Sequence, residues 1–137
     1  MWQGFYMELE RNLDEGDWGY VANPSGGFWG YWWHWCQISS DSTIELYLQF
    51  EQDKLCIKAY SKAETRPKLS WTNQIVEISK EKGLIIDPPT KRRIGKTMTL
   101  AIVKSEEIFQ SIVPDIEPVI KKLKEIEVFV TEVSSKI

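Results

Sequence analysis

The chain has 137 residues, 42% hydrophobic and 27% charged, with a formal net charge of −3 at pH 7. That size and balance fit one folded domain, residues 1–137, and exclude disorder. The acidic balance argues against a general nucleic-acid binder, and no apolar run approaches the ~20 residues that cross a bilayer.

The N-terminus, Met1-Trp2-Gln3-Gly4-Phe5-Tyr6, lacks the basic stretch and apolar run of a signal peptide, so a cytoplasmic chain without membrane contact is expected. From Trp2 to about Leu13 the apolar residues Trp2, Phe5, Tyr6, Leu9 and Leu13 recur at helical spacing. Gly16 is a stop, and Asp17 to Gly27 reads as a connector ending in the turn signal Asn23-Pro24-Ser25-Gly26-Gly27.

Three strands follow. Phe28 to Ile38 is apolar on both faces, with Phe28, Trp32, Cys36 and Ile38 on one and Trp29, Tyr31, Trp33 and Trp35 on the other. The Phe28/Trp32 face is expected against helix. Thr43 to Phe50 alternates cleanly, with Ile44, Leu46, Leu48 and Phe50 inward. Leu55 to Tyr60 buries Leu55, Ile57 and Ala59. The short connections predict an antiparallel meander.

A second helix is predicted from about Pro67 to Lys82, with Gly83 as its C-cap and Trp71, Ile75 and Ile78 as its apolar stripe. Leu84 to Ile86 is a candidate short strand. Lys96 to Val103 is a further strand, with Met98, Leu100 and Ile102 on one face. From about Ser105 the chain is helical. Ile108, Ile112, Ile116, Val119, Leu123, Ile126, Val130, Val133 and Ile137 hold helical phase, and Pro114 and Pro118 must kink or split the segment. The fold class is therefore α+β, an antiparallel β-meander with helices packed on it, in the order α-β-β-β-α-β-α.

The inventory of reactive groups is small. His34 is the one histidine, and Cys36 and Cys56 have no CxxC spacing; two reduced thiols are expected, a disulfide between neighbouring strands being the alternative. No metal set and no cofactor motif stand out. The element order α-β-β-β-α-β resembles the core of the PD-(D/E)xK nucleases. That family sets an Asp near the start of its second strand and Asp/Glu-x-Lys on its third, to hold a metal beside the scissile phosphate. Here Asp41 precedes the second strand, but the third reads Cys56-Ile57-Lys58, and no Asp or Glu is followed two residues later by Lys. Asp41, Glu45 and Lys58 are the catalytic candidates of a divergent nuclease.

A second resemblance rests on Phe5-Tyr6-Met7-Glu8-Leu9-Glu10, Asp17-Trp18-Gly19-Tyr20, Gly27-Phe28-Trp29-Gly30-Tyr31-Trp32-Trp33, Tyr47-Leu48-Gln49-Phe50-Glu51 and Lys54-Leu55-Cys56-Ile57-Lys58. Residues 2 to 60 are similar to the region downstream of the catalytic core in uncharacterised bacterial PD-(D/E)xK superfamily proteins. The resemblance implies a bacterial, defence- or mobile-element-associated origin and carries over no active-site residue.

Trp29, Tyr31, Trp33 and Trp35 are candidate binding residues, either stacking on bases or sugars or anchoring a protein partner. Lys91, Arg92 and Arg93 are a candidate anion contact. The C-terminal stripe either docks on its own domain or pairs with a second copy as a homodimer. The expected function is a non-catalytic, macromolecule-binding or accessory domain of a nuclease-like protein, its partner a nucleic acid or a protein. A divergent nuclease, or an aromatic-lined small-ligand or carbohydrate binder, is the rival.

Overall fold

The computed structural model describes residues 2–24, 26–52, 54–90, 95–109 and 116–137. The elements run α1 (Trp2–Asn12), β1 (Asp17–Val21), β2 (Phe28–Ile38), β3 (Asp41–Glu51), β4 (Lys54–Ser61), α2 (Ser70–Glu81), β5 (Ile86–Asp87), β6 (Thr97–Val103), α3 (Ser105–Ile108) and α4 (Ile116–Lys136). The strands form one antiparallel sheet in the order β1-β2-β3-β4-β6-β5. The α+β meander expected from the sequence is present. The supposed connector after α1 contains β1, an additional edge strand. Its alternation is hidden because Trp18, Gly19 and Tyr20 carry no polar/apolar contrast.

The helices lie on one face. Residues directly opposed in an antiparallel pair share a face, so the register assigns every strand residue. Ile44, Leu46, Leu48 and Phe50 of β3 and Leu55, Ile57 and Ala59 of β4 point to the helices and are buried. Tyr31 and Trp33 oppose Phe50 and Leu48, so they join the core at 0% and 1% exposure. Trp33 stacks on Phe50 with ring centroids 5.5 Å apart, and its indole N–H donates to Glu127 Oε2 of α4 at 2.9 Å.

This reverses the expectation for β2. Phe28 and Trp32 face away from the helices, Trp32 opposite Gln49, and only partly buried. A β-bulge explains the rest. Trp33 opposes Leu48 and Cys36 opposes Leu46, so His34 and Trp35 together stand against Tyr47. The extra residue restarts the alternation. Cys36 thereby moves to the helix side with Trp33, and Trp35 to the other face. His34 sits at φ 63°, the left-handed region that glycine usually supplies at such bulges. A second bulge, between Ile57 and Lys58 against β6, places Ile102 opposite Cys56. Ile102 therefore does not share a face with Met98, as simple alternation predicts.

α1 docks through Tyr6 and Leu9; the Tyr6 hydroxyl lies 3.0 Å from the carbonyls of Trp29 and Gln52. α2 starts three residues after Pro67, and Gly83 at φ 69° follows its last turn. Thr72 fixes it to the sheet by donating to the Leu100 carbonyl at 2.7 Å. The C-terminal segment is divided into α3 and α4. Pro118 falls in the first turn of α4, where a missing N–H costs little; Pro114 and Ile112 lie outside the described residues. α4 crosses β2 and β3, with Val119, Leu123, Ile126, Val130 and Val133 buried. The stripe that a second copy would use is packed on the chain's own sheet. No helix is long and apolar enough to cross a membrane among the described residues.

Candidate functional site

The second face of the sheet lies away from α1, α2 and α4, and the loop after β4 meets its end at Thr43, whose Oγ1 lies 2.7 Å from Thr65 Oγ1. It carries Phe28, Gly30, Trp32 and Trp35 of β2, then Glu45, Tyr47, Gln49 and Glu51 of β3, then Lys54, Cys56, Lys58 and Tyr60 of β4. Large side chains lie down on their neighbours. Trp35 stacks on Tyr47, centroids 4.2 Å apart and planes 21° from parallel, and remains 46% exposed. Tyr47 beneath it is only 5% exposed, and burial pushes its phenol well above the usual range. Trp32 Nε1 donates to Gln49 Oε1 at 2.8 Å, and Gln49 Nε2 donates to Glu51 Oε1 at 2.8 Å. Lys58 Nζ completes this row 3.8 Å from Glu51 Oε1. The result is a rigid platform of hydrogen-bonded and stacked groups.

The sequence-predicted binding residues separate. Trp35 is on the platform. Tyr31 and Trp33 are core, because odd-numbered β2 residues before the bulge face the helices. Burial together with nearby carboxylates raises the Tyr31 hydroxyl to about 12, and it donates to the Glu15 carbonyl at 3.1 Å. Trp29 is partly buried on the helix side, against Trp18 and Tyr20 of the edge strand. Lys91, Arg92 and Arg93 lie outside the described residues. Trp32 and Tyr47 belong to the platform and were not singled out as binding residues; the signal for them was the register.

Two of the nuclease candidates are neighbours and the third stands apart: Glu45 and Lys58 share the second face on adjacent strands, Lys58 opposing Tyr47, two residues from Glu45. Asp41 is the first residue of β3, and its Oδ1 accepts from Thr43 N at 2.9 Å and Thr43 Oγ1 at 2.6 Å. Those two bonds hold its carboxyl below the usual value. Glu45 pairs with Lys62. Lys58 opposes Tyr47, six residues beyond Asp41, or about 20 Å along a strand. No group of three His, Cys, Asp or Glu side chains is placed to hold a metal among the described residues. A cavity of about 230 Å³ lies elsewhere, between Lys54, Ile102, Val103, Lys104 and Ser105.

The two thiols are free and differ in setting. They sit on β2 and β4, separated by β3 and on opposite faces, so the strands that carry them are not neighbours. Burial raises the Cys56 thiol to about 11. Cys36 lies at the sheet edge beyond the last β1 pairing, its sulfur 3.7 Å from Thr131 Oγ1 and 3.9 Å from the His34 backbone carbonyl. No protein-family model matches this chain, and no curated protein or solved structure matches it either.

Proposed function

We propose that this chain is a non-catalytic docking domain, its open sheet face taking a protein partner, and that the partner is a nuclease-type catalytic unit. The observation that carries the reading is Trp35, a half-exposed tryptophan stacked flat on Tyr47 where β2 runs on beyond the last β1 pairing. Aromatic residues held rigid before binding lose little entropy on contact, and tryptophan and tyrosine dominate protein hot spots. The charges around it favour protein over nucleic acid. Phosphate binding draws on a surplus of cations, whereas Lys58 faces Glu51 and Lys62 faces Glu45. The class of the partner rests on the resemblance of residues 2 to 60 to the region downstream of a nuclease core. The distance of Asp41 from Lys58 along the sheet, and the pairing of Glu45 with Lys62, support a role without catalysis.

The test is co-expression with the catalytic domain of a PD-(D/E)xK protein of the type resembled. Co-purification is expected, and Trp35→Asp should abolish it, since loss of a central hot spot costs about 2 kcal/mol or more, roughly thirtyfold in affinity. Thermal unfolding of the variant controls for its fold. Co-purification that survives Trp35→Asp would refute the platform as the docking surface. Binding of single-stranded DNA or RNA that depends on Trp35 would replace the protein partner with nucleic acid. Metal-dependent cleavage lost in Asp41→Ala would replace docking with catalysis.

A further inference from the structure

β1 leaves one long edge of the sheet without a neighbour, since among the described residues no strand lies beyond it. One hydrogen bond fixes which of its backbone groups face outward. Gln52 N donates to the Trp29 carbonyl at 2.8 Å, so Trp29 directs its backbone groups toward β3. The N–H and C=O of a strand residue point to one side, and successive residues alternate. Gly30 therefore turns its groups toward β1, where it opposes Gly19. Gly19 faces back to Gly30, and Trp18 and Tyr20 direct their N–H and C=O away from the sheet.

We propose that this edge pairs with the same edge of a second copy of the chain, antiparallel about a two-fold axis at Gly19, so that two sheets become one. In that register Trp18 of each copy opposes Tyr20 of the other, and each such pair exchanges both of its backbone bonds. Sliding the copies by two residues leaves only one such pair within β1. Gly19 meets itself on the axis, at a non-hydrogen-bonded position where the strands approach most closely, and it has no side chain to clash. Trp18 and Tyr20 lie on the helix side, opposite Tyr31 and Trp29, with both rings against Trp29 and Tyr20 53% exposed. Directly opposed residues share a face, so the dimer sets indole beside phenol at both pairs, and aromatic cross-strand pairs favour association. Asp17 opposes Val21, so no like charges meet.

The two edges of the sheet differ in a way that singles out β1. Proteins blunt an edge with a very short strand, a Lys or Pro, or a bulge. The opposite edge is blunted, since β5 has only two residues, Ile86–Asp87. β1 has five residues, Asp17–Val21, with no Lys or Pro. Its register with β2 is unbroken from Asp17 against Trp32 to Val21 against Phe28, so no bulge twists it away. A second copy is the occupant that fits, because Trp-Gly-Tyr read antiparallel is its own complement: large side chains oppose large ones and glycine falls on the axis. An edge of this length, about 17 Å, is a small contact beside the interfaces of permanent dimers, so the dimer is weak and depends on concentration. The helices of both copies lie on one side of the joined sheet and the two Trp35 platforms on the other.

The experiment is sedimentation of the full chain from about 1 μM to about 1 mM, the range in which weak contacts dissociate. Monomer should give way to dimer as the concentration rises. Gly19→Lys and Gly19→Asp discriminate, because each places like charges directly opposite one another on the axis. A Cβ at Gly19 meets nothing within 4 Å, so the fold has room for either side chain. Each variant alone should associate about fivefold more weakly, and an equal mixture of the two should recover the wild-type dimer, since opposite charges then meet. A wild-type chain that stays monomeric at the highest concentration overturns the inference. So does a dimer that both variants leave intact, or a mixture that does not recover. If the variants fail to fold, hydrogen exchange of the wild type decides. The Trp18 and Tyr20 amides should exchange more slowly as the concentration rises. Exchange that is independent of concentration, or protection gained only on adding a different protein, overturns the self-pairing.

Discussion

At Gly16 the backbone has φ +142°, and a Cβ there would stand 2.2 Å from the Tyr31 hydroxyl oxygen. Tyr31 is fully buried, its ring held between Tyr6 and Trp33 and its hydroxyl tied to the Glu15 carbonyl, so the ring has nowhere to retreat. Gly16→Ala should therefore destabilise the chain by about 1–3 kcal/mol, the usual cost of overpacking, read as a lower denaturant midpoint. An unchanged midpoint would mean that the turn and Tyr31 shift apart freely. The tryptophans of β2 give a paired comparison. Trp33→Ala empties a core site, removes the stack on Phe50 and leaves Glu127 without its indole donor; about 3–5 kcal/mol is expected. Trp32→Ala removes a partly buried ring from the open face and should cost less. Equal losses in the two melts would put Trp32 in the core after all. Sequence alternation ranked these two the other way round. Both are tryptophans on an all-apolar strand, and residue type alone does not say which of two apolar faces meets the helices.

Among the elements, α4 was the most legible. Its stripe from Ile116 to Ile137 keeps helical phase, and the buried residues Val119, Leu123, Ile126, Val130 and Val133 are members of that stripe. Phe129 joins them on the same side. Each large apolar side chain contributes about 1.5–3 kcal/mol by burial, so these six together match the ~5–15 kcal/mol total stability of a typical domain. Removing 116–137 should leave a chain without a cooperative thermal transition. A truncated chain that melts cooperatively, while the intact one loses a dimer on truncation, would assign the helix to assembly instead. β1 was illegible, since a five-residue edge strand of Asp, Trp, Gly, Tyr and Val has neither alternation nor a continuous apolar run. The bulges at His34 and opposite Lys58 were equally hidden. A bulge is set by how two strands align, and it reverses the inward and outward assignment of every residue beyond it.

For the whole molecule, the antiparallel α+β class followed from hydrophobic period, turn residues and short connections, all of which are local. The placement of three helices on one face, leaving Trp32, Trp35 and Tyr47 on the other, did not follow. Helical and strand periodicities report which side of an element is apolar, and β2 is apolar on both sides. Only the packing of α1 and α4 against Tyr31, Trp33 and Phe50 decides between them. The candidate site divides in the same way. The tryptophan-rich strand was visible in composition, and Trp35 was identified from it. Asp41 and Lys58 looked related through their order along the chain, yet strand register sets them about 20 Å apart. His34 and Cys36 are two residues apart in sequence, but Thr131, which both of them meet, lies more than ninety residues further on. What the sequence determined by itself is the set of elements whose signal is local and periodic. What the tertiary structure alone decided is the facing of β2, because the choice between two apolar faces is made by long-range contacts and a single extra residue.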